Sequence, residues 1–149
     1  VRYHARFVEL AGQVNSAMPE FVMERLVEEL NERRMAMKGA RILVVGVAYK
    51  PDIDDIRESP AIDVIELLRR KGVDVSYVDP HVPRLSIGDL ELASVPVDAD
   101  TSGFDGAVIV THHRAYDYAR LVRECPLVLD TRNVTRGLEV GEGTAVVRL

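Results

Sequence analysis

The chain has little cysteine, no long hydrophobic run and no excess of positive charge, and each shortage removes a class of function. A single cysteine, Cys125, stands among 149 residues, which excludes an internal disulfide and a cysteine-rich metal site. No apolar stretch approaches the roughly 20 residues that span a bilayer, and the opening Val1-Arg2-Tyr3-His4-Ala5-Arg6 lacks the apolar core of a signal peptide. A cytoplasmic protein without membrane contact is the expectation. The net charge of −5 argues against nucleic acid as a partner, because neutralising phosphates needs a basic face. Internal repeats and low-complexity tracts are missing too. A dinucleotide-binding turn needs Gly-x-Gly-x-x-Gly so that backbone can approach a pyrophosphate, and the turn after Val45 offers only Gly46.

What is present is an ordinary globular composition, 47% hydrophobic and 29% charged, with room for one sizeable core. Residues Arg2 to Asn15 carry Phe7, Leu10, Ala11 and Val14 at helical spacing, and Pro19 is expected to restart a second helix with Phe21, Val22, Leu26, Val27 and Leu30 on its apolar face. Met35 to Lys38 should close that helix, with Gly39 as its cap. The uncapped start reads as a piece cut from a longer protein. From Arg41 the pattern alternates: strand Ile42 to Val47, helix Pro60 to Lys71 ended by Gly72, strand Val73 to Val78, strand Ala107 to Thr111, helix Arg114 to Glu124 and strand Leu127 to Leu129. This predicts an α/β fold: a three-layer Rossmann-like domain with a mainly parallel sheet, preceded by two helices. Between Pro83 and Gly103 the signals are weak. Leu90-Glu91-Leu92 and Ser94 to Ala99 suggest short strands there, Ala99 to Phe104 suggests a helical turn, and otherwise only a variable surface is expected; Thr144 to Arg148 suggests a last strand.

The loop from Gly46 to Ser59 is the most telling segment. It joins the buried-strand run Ile42-Leu43-Val44-Val45 to a helix that Ser59 can cap and Pro60 can open. Lys50, Asp52, Asp54, Asp55, Arg57 and Glu58 crowd it, at the carboxyl end of a parallel strand where open α/β sheets place their ligands. Lys50 and Arg57 suggest an anionic ligand. By residue type alone Lys50 also reads as a surface lysine, and Arg57 as the partner of Asp54, Asp55 or Glu58. The three aspartates lack the glycine and terminal glutamate of a calcium loop, so their expected work is to order the loop and orient its cations; no metal is expected. Adjacent His112 and His113 point to opposite sides of an extended segment and make poor joint ligands, while His4 and His81 look isolated. Arg132 follows a strand and Asp130, so it too should emerge at the carboxyl edge, to bind a ligand or to order its loop with Asp130. Asp79-Pro80 mimics the ribose-binding acid of dinucleotide folds, but without the glycine fingerprint a turn explains it as well. Cys125 reads as a small buried residue.

Gly46-Val47-Ala48-Tyr49-Lys50, Asp52-Ile53-Asp54-Asp55, Arg57-Glu58-Ser59-Pro60, Asp79-Pro80 and Asp130-Thr131-Arg132-Asn133, in that order, resemble the carboxyl-terminal part of the UDP-glucose/GDP-mannose dehydrogenase family. The likeness is strongest to members that oxidise UDP-N-acetylhexosamines. Asn15-Ser16-Ala17-Met18-Pro19 also looks like the junction after that family's central helix. The resemblance implies that residues 1–38 are the end of a central dimerisation helix with a connecting helix, and that 39–149 form the UDP-sugar-binding domain. It further implies an enzyme that uses two NAD molecules to oxidise the C6 alcohol of a UDP-sugar to a carboxylate. The NAD domain and the nucleophilic cysteine would lie in parts this chain does not resemble, so the chain should not catalyse alone; the full-length enzyme would be a homodimer. Carried over by position, Tyr49, Lys50 and Arg132 would contact the UDP-sugar, and Arg57 would reach the NAD phosphates. Two other readings compete. A phosphoacceptor receiver domain would need an isolated aspartate after its third strand and a lysine where Arg132 stands. A free-standing nucleotide-binding or assembly subunit would keep the same pocket residues without chemistry.

Overall fold

A computed structural model describes residues 2–149. Helix α1 (Arg2–Glu32) leads into β1 (Arg41–Val45), α2 (Pro60–Arg70), β2 (Asp74–Val78), the pair β3 (Arg84–Ile87) and β4 (Leu90–Ala93), β5 (Gly106–Ile109), α3 (Tyr118–Glu124), β6 (Leu127–Asp130) and β7 (Ala145–Arg148). Five strands form one parallel sheet in the order β2-β1-β5-β6-β7. Strand β1 lies between β2 and β5, and its side chains alternate between two cores. Ile42 and Val44 join Leu26, Leu30, Ile65 and Leu68 of α1 and α2, whereas Leu43 and Val45 join Leu121 and Val122 of α3. That double burial is what an uninterrupted apolar strand requires, and it gives the three-layer arrangement expected.

The leading segment departs from expectation. It is one helix, not two, and Pro19 lies inside it. An interior proline removes one hydrogen bond and costs about 3 kcal/mol. Directly after it Val22, Met23, Leu26 and Leu30 are buried, at about 1.5–3 kcal/mol for each fully buried side chain, so packing outweighs the break. The helix also stops earlier than Gly39. Arg34 adopts φ 57 while the Met35 N–H returns to the Leu30 carbonyl at 2.9 Å, so Arg34 takes the left-handed capping place. Gly39, at φ 84, instead lets its N–H meet the Gly72 carbonyl at 2.8 Å.

Residues 83–103 are more than variable surface. Strands β3 and β4 pair antiparallel across Gly88-Asp89, with Gly88 at φ 60 as a two-residue hairpin turn needs, and Leu85 and Ile87 are buried in the core on the α1 side. Ser94 to Ala99 form no strand and Ala99 to Phe104 no helix. Helix α3 begins at Tyr118 rather than Arg114, because the Asp117 carboxylate caps it by accepting the Arg120 N–H. No helix among the described residues is long and apolar enough to cross a membrane.

Candidate functional site

The carboxyl ends of β1, β2, β5 and β6 converge on one edge of the sheet. Gly46 makes that convergence possible: it sits at φ 80, and a Cβ there would lie 2.1 Å from the Thr111 carbonyl oxygen. Beyond it the loop runs to Ser59, whose hydroxyl accepts the Ala61 N–H at the start of α2. Of the four non-glycine residues with left-handed backbone among those described, three are Asp52, Glu58 and Asn133. Asp52 shares the loop with Lys50; Glu58 follows Arg57, and Asn133 follows Arg132. Backbone held in such conformations collects at ligand sites, where surrounding contacts over-determine it.

A cleft of about 700 Å³ opens at this edge, lined by Tyr49, Glu58 and Asp63 on one side, Thr131 and Arg132 on another, and Asn15, Ser16 and Pro19 of α1. Its volume suits a small-molecule ligand. Tyr49 is 42% exposed and offers an aromatic face. Arg132 is held at its base: its Nε donates to the Val110 carbonyl at 2.7 Å and its N–H to Asp130 Oδ1 at 2.9 Å. No carboxylate pairs with its guanidinium among the described residues, so the terminal nitrogens can donate to a ligand. Asp130 is buried and Oδ2 also accepts the Thr135 N–H at 2.9 Å and hydroxyl at 2.6 Å. Burial pushes its carboxyl up, but the bonds from Thr135 and from the Arg132 and Val134 N–H groups together hold it below the usual carboxylate range. Asp130 thus orders the loop that presents Arg132, so both functions weighed for this pair are compatible.

The other two expected ligand residues lie differently. Lys50 is exposed, does not line the cleft, and its Nζ sits 5.5 Å over the Tyr49 ring. Arg57 also lies outside the cleft lining. It pairs with Asp55 through Nε at 2.9 Å and a terminal nitrogen at 2.7 Å, and the Arg57 side chain with its N–H lowers the Asp55 carboxyl to about 2. Asp52 does not orient Lys50 or Arg57. Its carboxylate accepts the Arg114 N–H and Nε at 2.9 and 2.8 Å, which holds it below its ordinary value.

Behind this loop lies a polar cluster that sequence reasoning left as unrelated residues. Asp79 Oδ2 accepts the Val47 and Ala48 N–H groups at 2.8 and 3.2 Å and lies 2.8 Å from His113 Nε2. Its Oδ1 accepts the His81 and Val82 N–H groups. The aspartate is therefore a turn organiser, as its Asp-Pro setting allowed. His81 is not isolated: its ring centroid is 4.9 Å from that of His113, and its buried Nε2 has no partner. Ligand atoms of Asp52, His81 and His113 approach within 4.8 Å of one another, yet a lone-pair count argues against a metal. His113 Nδ1 accepts the Asp52 N–H at 2.9 Å, and Nε2 faces Asp79, so neither nitrogen is free. Only the pairing of distant strand ends reveals this cluster; the one legible hint was that each residue follows a predicted strand.

The same geometry tests the cofactor that the family resemblance implies. At the β1 turn, the N–H groups that would face a pyrophosphate are taken by a buried carboxylate, and the Thr111 carbonyl closes over Gly46. This turn does not fit a dinucleotide. Cys125 is fully buried, its Sγ contacts the Leu127 carbonyl at 3.3 Å, and burial pushes its thiol up to about 11, the reverse of an activated nucleophile.

Residues 43–137 match the UDP binding domain of the UDP-glucose/GDP-mannose dehydrogenase family. The chain belongs to that family. It is 31% identical over 139 residues to a UDP-N-acetyl-D-mannosamine dehydrogenase of Methanococcus maripaludis, covering 88% of this chain and 31% of the relative. A UDP-glucose 6-dehydrogenase of Rhizobium meliloti is 37% identical over 114 residues, covering 71% of this chain and 26% of the relative. The solved structure of a UDP-D-ManNAc dehydrogenase from Pyrococcus horikoshii superimposes with a TM-score of 0.74 at 26% identity, over 93% of this chain and 32% of that one. The chain thus spans about a quarter to a third of the length of these relatives.

Proposed function

We propose that this chain is the nucleotide-gripping third of an NAD-dependent dehydrogenase that oxidises the C6 alcohol of a UDP-sugar to a carboxylate. The observation that carries the reading is the cleft at the carboxyl edge of a parallel sheet that is lined by both Tyr49 and Arg132, the arginine anchored at its Nε and paired with no carboxylate among the described residues. In this reading Arg132 donates to oxygens of the nucleotide, Tyr49 packs against it, and Lys50 swings from its place over the Tyr49 ring to a diphosphate or sugar oxygen. NAD binds a preceding domain, since the β1 turn here does not accept it, and Arg57 reaches its phosphates across the interdomain cleft while keeping Asp55. Residues 1–38 continue a central helix and 39–149 form the UDP-sugar domain. Phe7, Val8, Leu10 and Val14, all exposed on α1, pack in the parent homodimer.

Calorimetric titration tests the reading. UDP should bind the isolated chain and NAD should not, and mixing chain, NAD and a UDP-sugar should yield no NADH. NAD binding in preference to UDP would overturn the assignment. The free-standing subunit reading has no structural observation in its favour.

A further inference from the structure

We propose that Asp79 and His113 act as positioning residues, a buried brace that sets the Tyr49-Lys50 loop in its binding shape before the nucleotide arrives. The inference rests on the nucleotide-binding role proposed for that loop. Neither residue lines the cleft, and the side chains of His113 and Asp79 are 1% and 0% exposed, so neither can touch a ligand there. What they touch is the backbone on both sides of Tyr49 and Lys50. Asp79 holds the N–H groups of Val47 and Ala48 before them, and His113 holds the N–H of Asp52 after them.

The proton inventory fixes how the brace works. Nδ1 of His113 can accept the Asp52 N–H only through a free lone pair, so the ring proton resides on Nε2 and is donated to Asp79 Oδ2 at 2.8 Å. One carboxylate and one ring thereby link the ends of three strands, β1, β2 and β5. Two further bonds tighten the same span: the Thr111 hydroxyl donates to the Ala48 carbonyl at 2.6 Å, and the Tyr49 N–H reaches the Asp55 carbonyl at 2.7 Å. Asp52 is also one of the loop's two non-glycine left-handed residues, at φ 61, a conformation that needs outside support. A loop of this length without secondary structure would otherwise be ordered at the expense of ligand affinity.

Two substitutions separate the bonds. His113→Asn places an amide oxygen where Nδ1 was and keeps an acceptor for the Asp52 N–H; His113→Gln keeps a donor toward Asp79 and loses that acceptor. Loss of the acceptor leaves the part-buried Asp52 N–H unpaired and should weaken UDP binding by about tenfold in His113→Gln, whereas His113→Asn should retain affinity within about threefold. A merely structural histidine would lower the melting temperature in both variants and leave UDP affinity equal in both, which would overturn the proposal. Amide hydrogen exchange in the unmodified chain provides a readout independent of variants and of ligand. The Asp52 N–H should exchange as slowly as those of Val47 and Ala48, and fast exchange at Asp52 would overturn the brace. If the chain binds no UDP while Asp52 is protected, the binding reading fails and the brace survives as a loop organiser only.

Discussion

The carboxyl edge of the sheet and the amino-terminal half of α1 differ in how far this chain completes them. At the edge, the backbone around Tyr49 is tied by the buried side chains of Asp79 and His113 from other strand ends, and the base of Arg132 by the Asp130 carboxylate and the Val110 carbonyl. On α1, Phe7 is 76% exposed, and Val8, Leu10 and Val14 are exposed with it, although their helical spacing is that of a packed face. Polar bonding within the chain orders the edge at which the nucleotide half-site is proposed, while apolar burial on α1 stops near Pro19 and leaves the apolar residues before it exposed. The first region should thus be fragile to small internal changes, and the second tolerant of large ones.

The severest break is expected at Gly46. Gly46→Ala drives a methyl group into the Thr111 carbonyl from a left-handed backbone, at an expected cost of about 3 kcal/mol or more, measurable by urea denaturation. Asp130→Ala should come next, leaving the buried Thr135 hydroxyl and N–H unpaired, at about 1–3 kcal/mol. Its titration sharpens the point. The Asp130 carboxyl is lowered from 3.8 in the folded state, so its contribution is complete above that value and is lost as pH falls through the lower folded one. Asp130→Asn should therefore flatten the acid limb of a stability-against-pH curve, and an unchanged limb would contradict the assignment.

Arg132→Ala should leave stability nearly intact and weaken UDP binding about tenfold or more, the loss of a charge-assisted contact of about 1.5–3 kcal/mol; unchanged affinity in calorimetry would remove Arg132 from the site. The smallest effect on this chain belongs to α1. Leu10→Asp should shift its unfolding free energy by no more than about 0.5 kcal/mol, yet in the parent protein the same change should dissociate the proposed homodimer in sedimentation.

Sequence reasoning reached the sheet because Ile42 to Val45 and Leu127 to Leu129 are continuous apolar runs, and it reached the α2 start because Ser59-Pro60 is a local capping signal. It split α1 at Pro19 because the penalty of proline is local while the burial of Leu26 and Leu30 that outweighs it is not. The β3–β4 hairpin hid behind a weak Gly88-Asp89 turn signal between short strands. The motifs that resemble a family pointed to Tyr49 and Arg132, which line the cleft, and equally to Lys50 and Arg57, which lie outside its lining, since side-chain direction within a turn depends on Asp55 and on the Tyr49 ring. The Asp79–His113 pair was illegible for a plainer reason: its members are 34 residues apart and meet only once β2 and β5 are in one sheet.

The most direct test of a pre-formed nucleotide half-site is an NMR titration of this chain with UDP, following backbone amides. Shifts that converge on Tyr49, Lys50 and Arg132, with Val47, Ala48 and Asp52 nearly unmoved, are the predicted result. A folded sample in which UDP shifts none of these amides, or shifts a different surface, would contradict it.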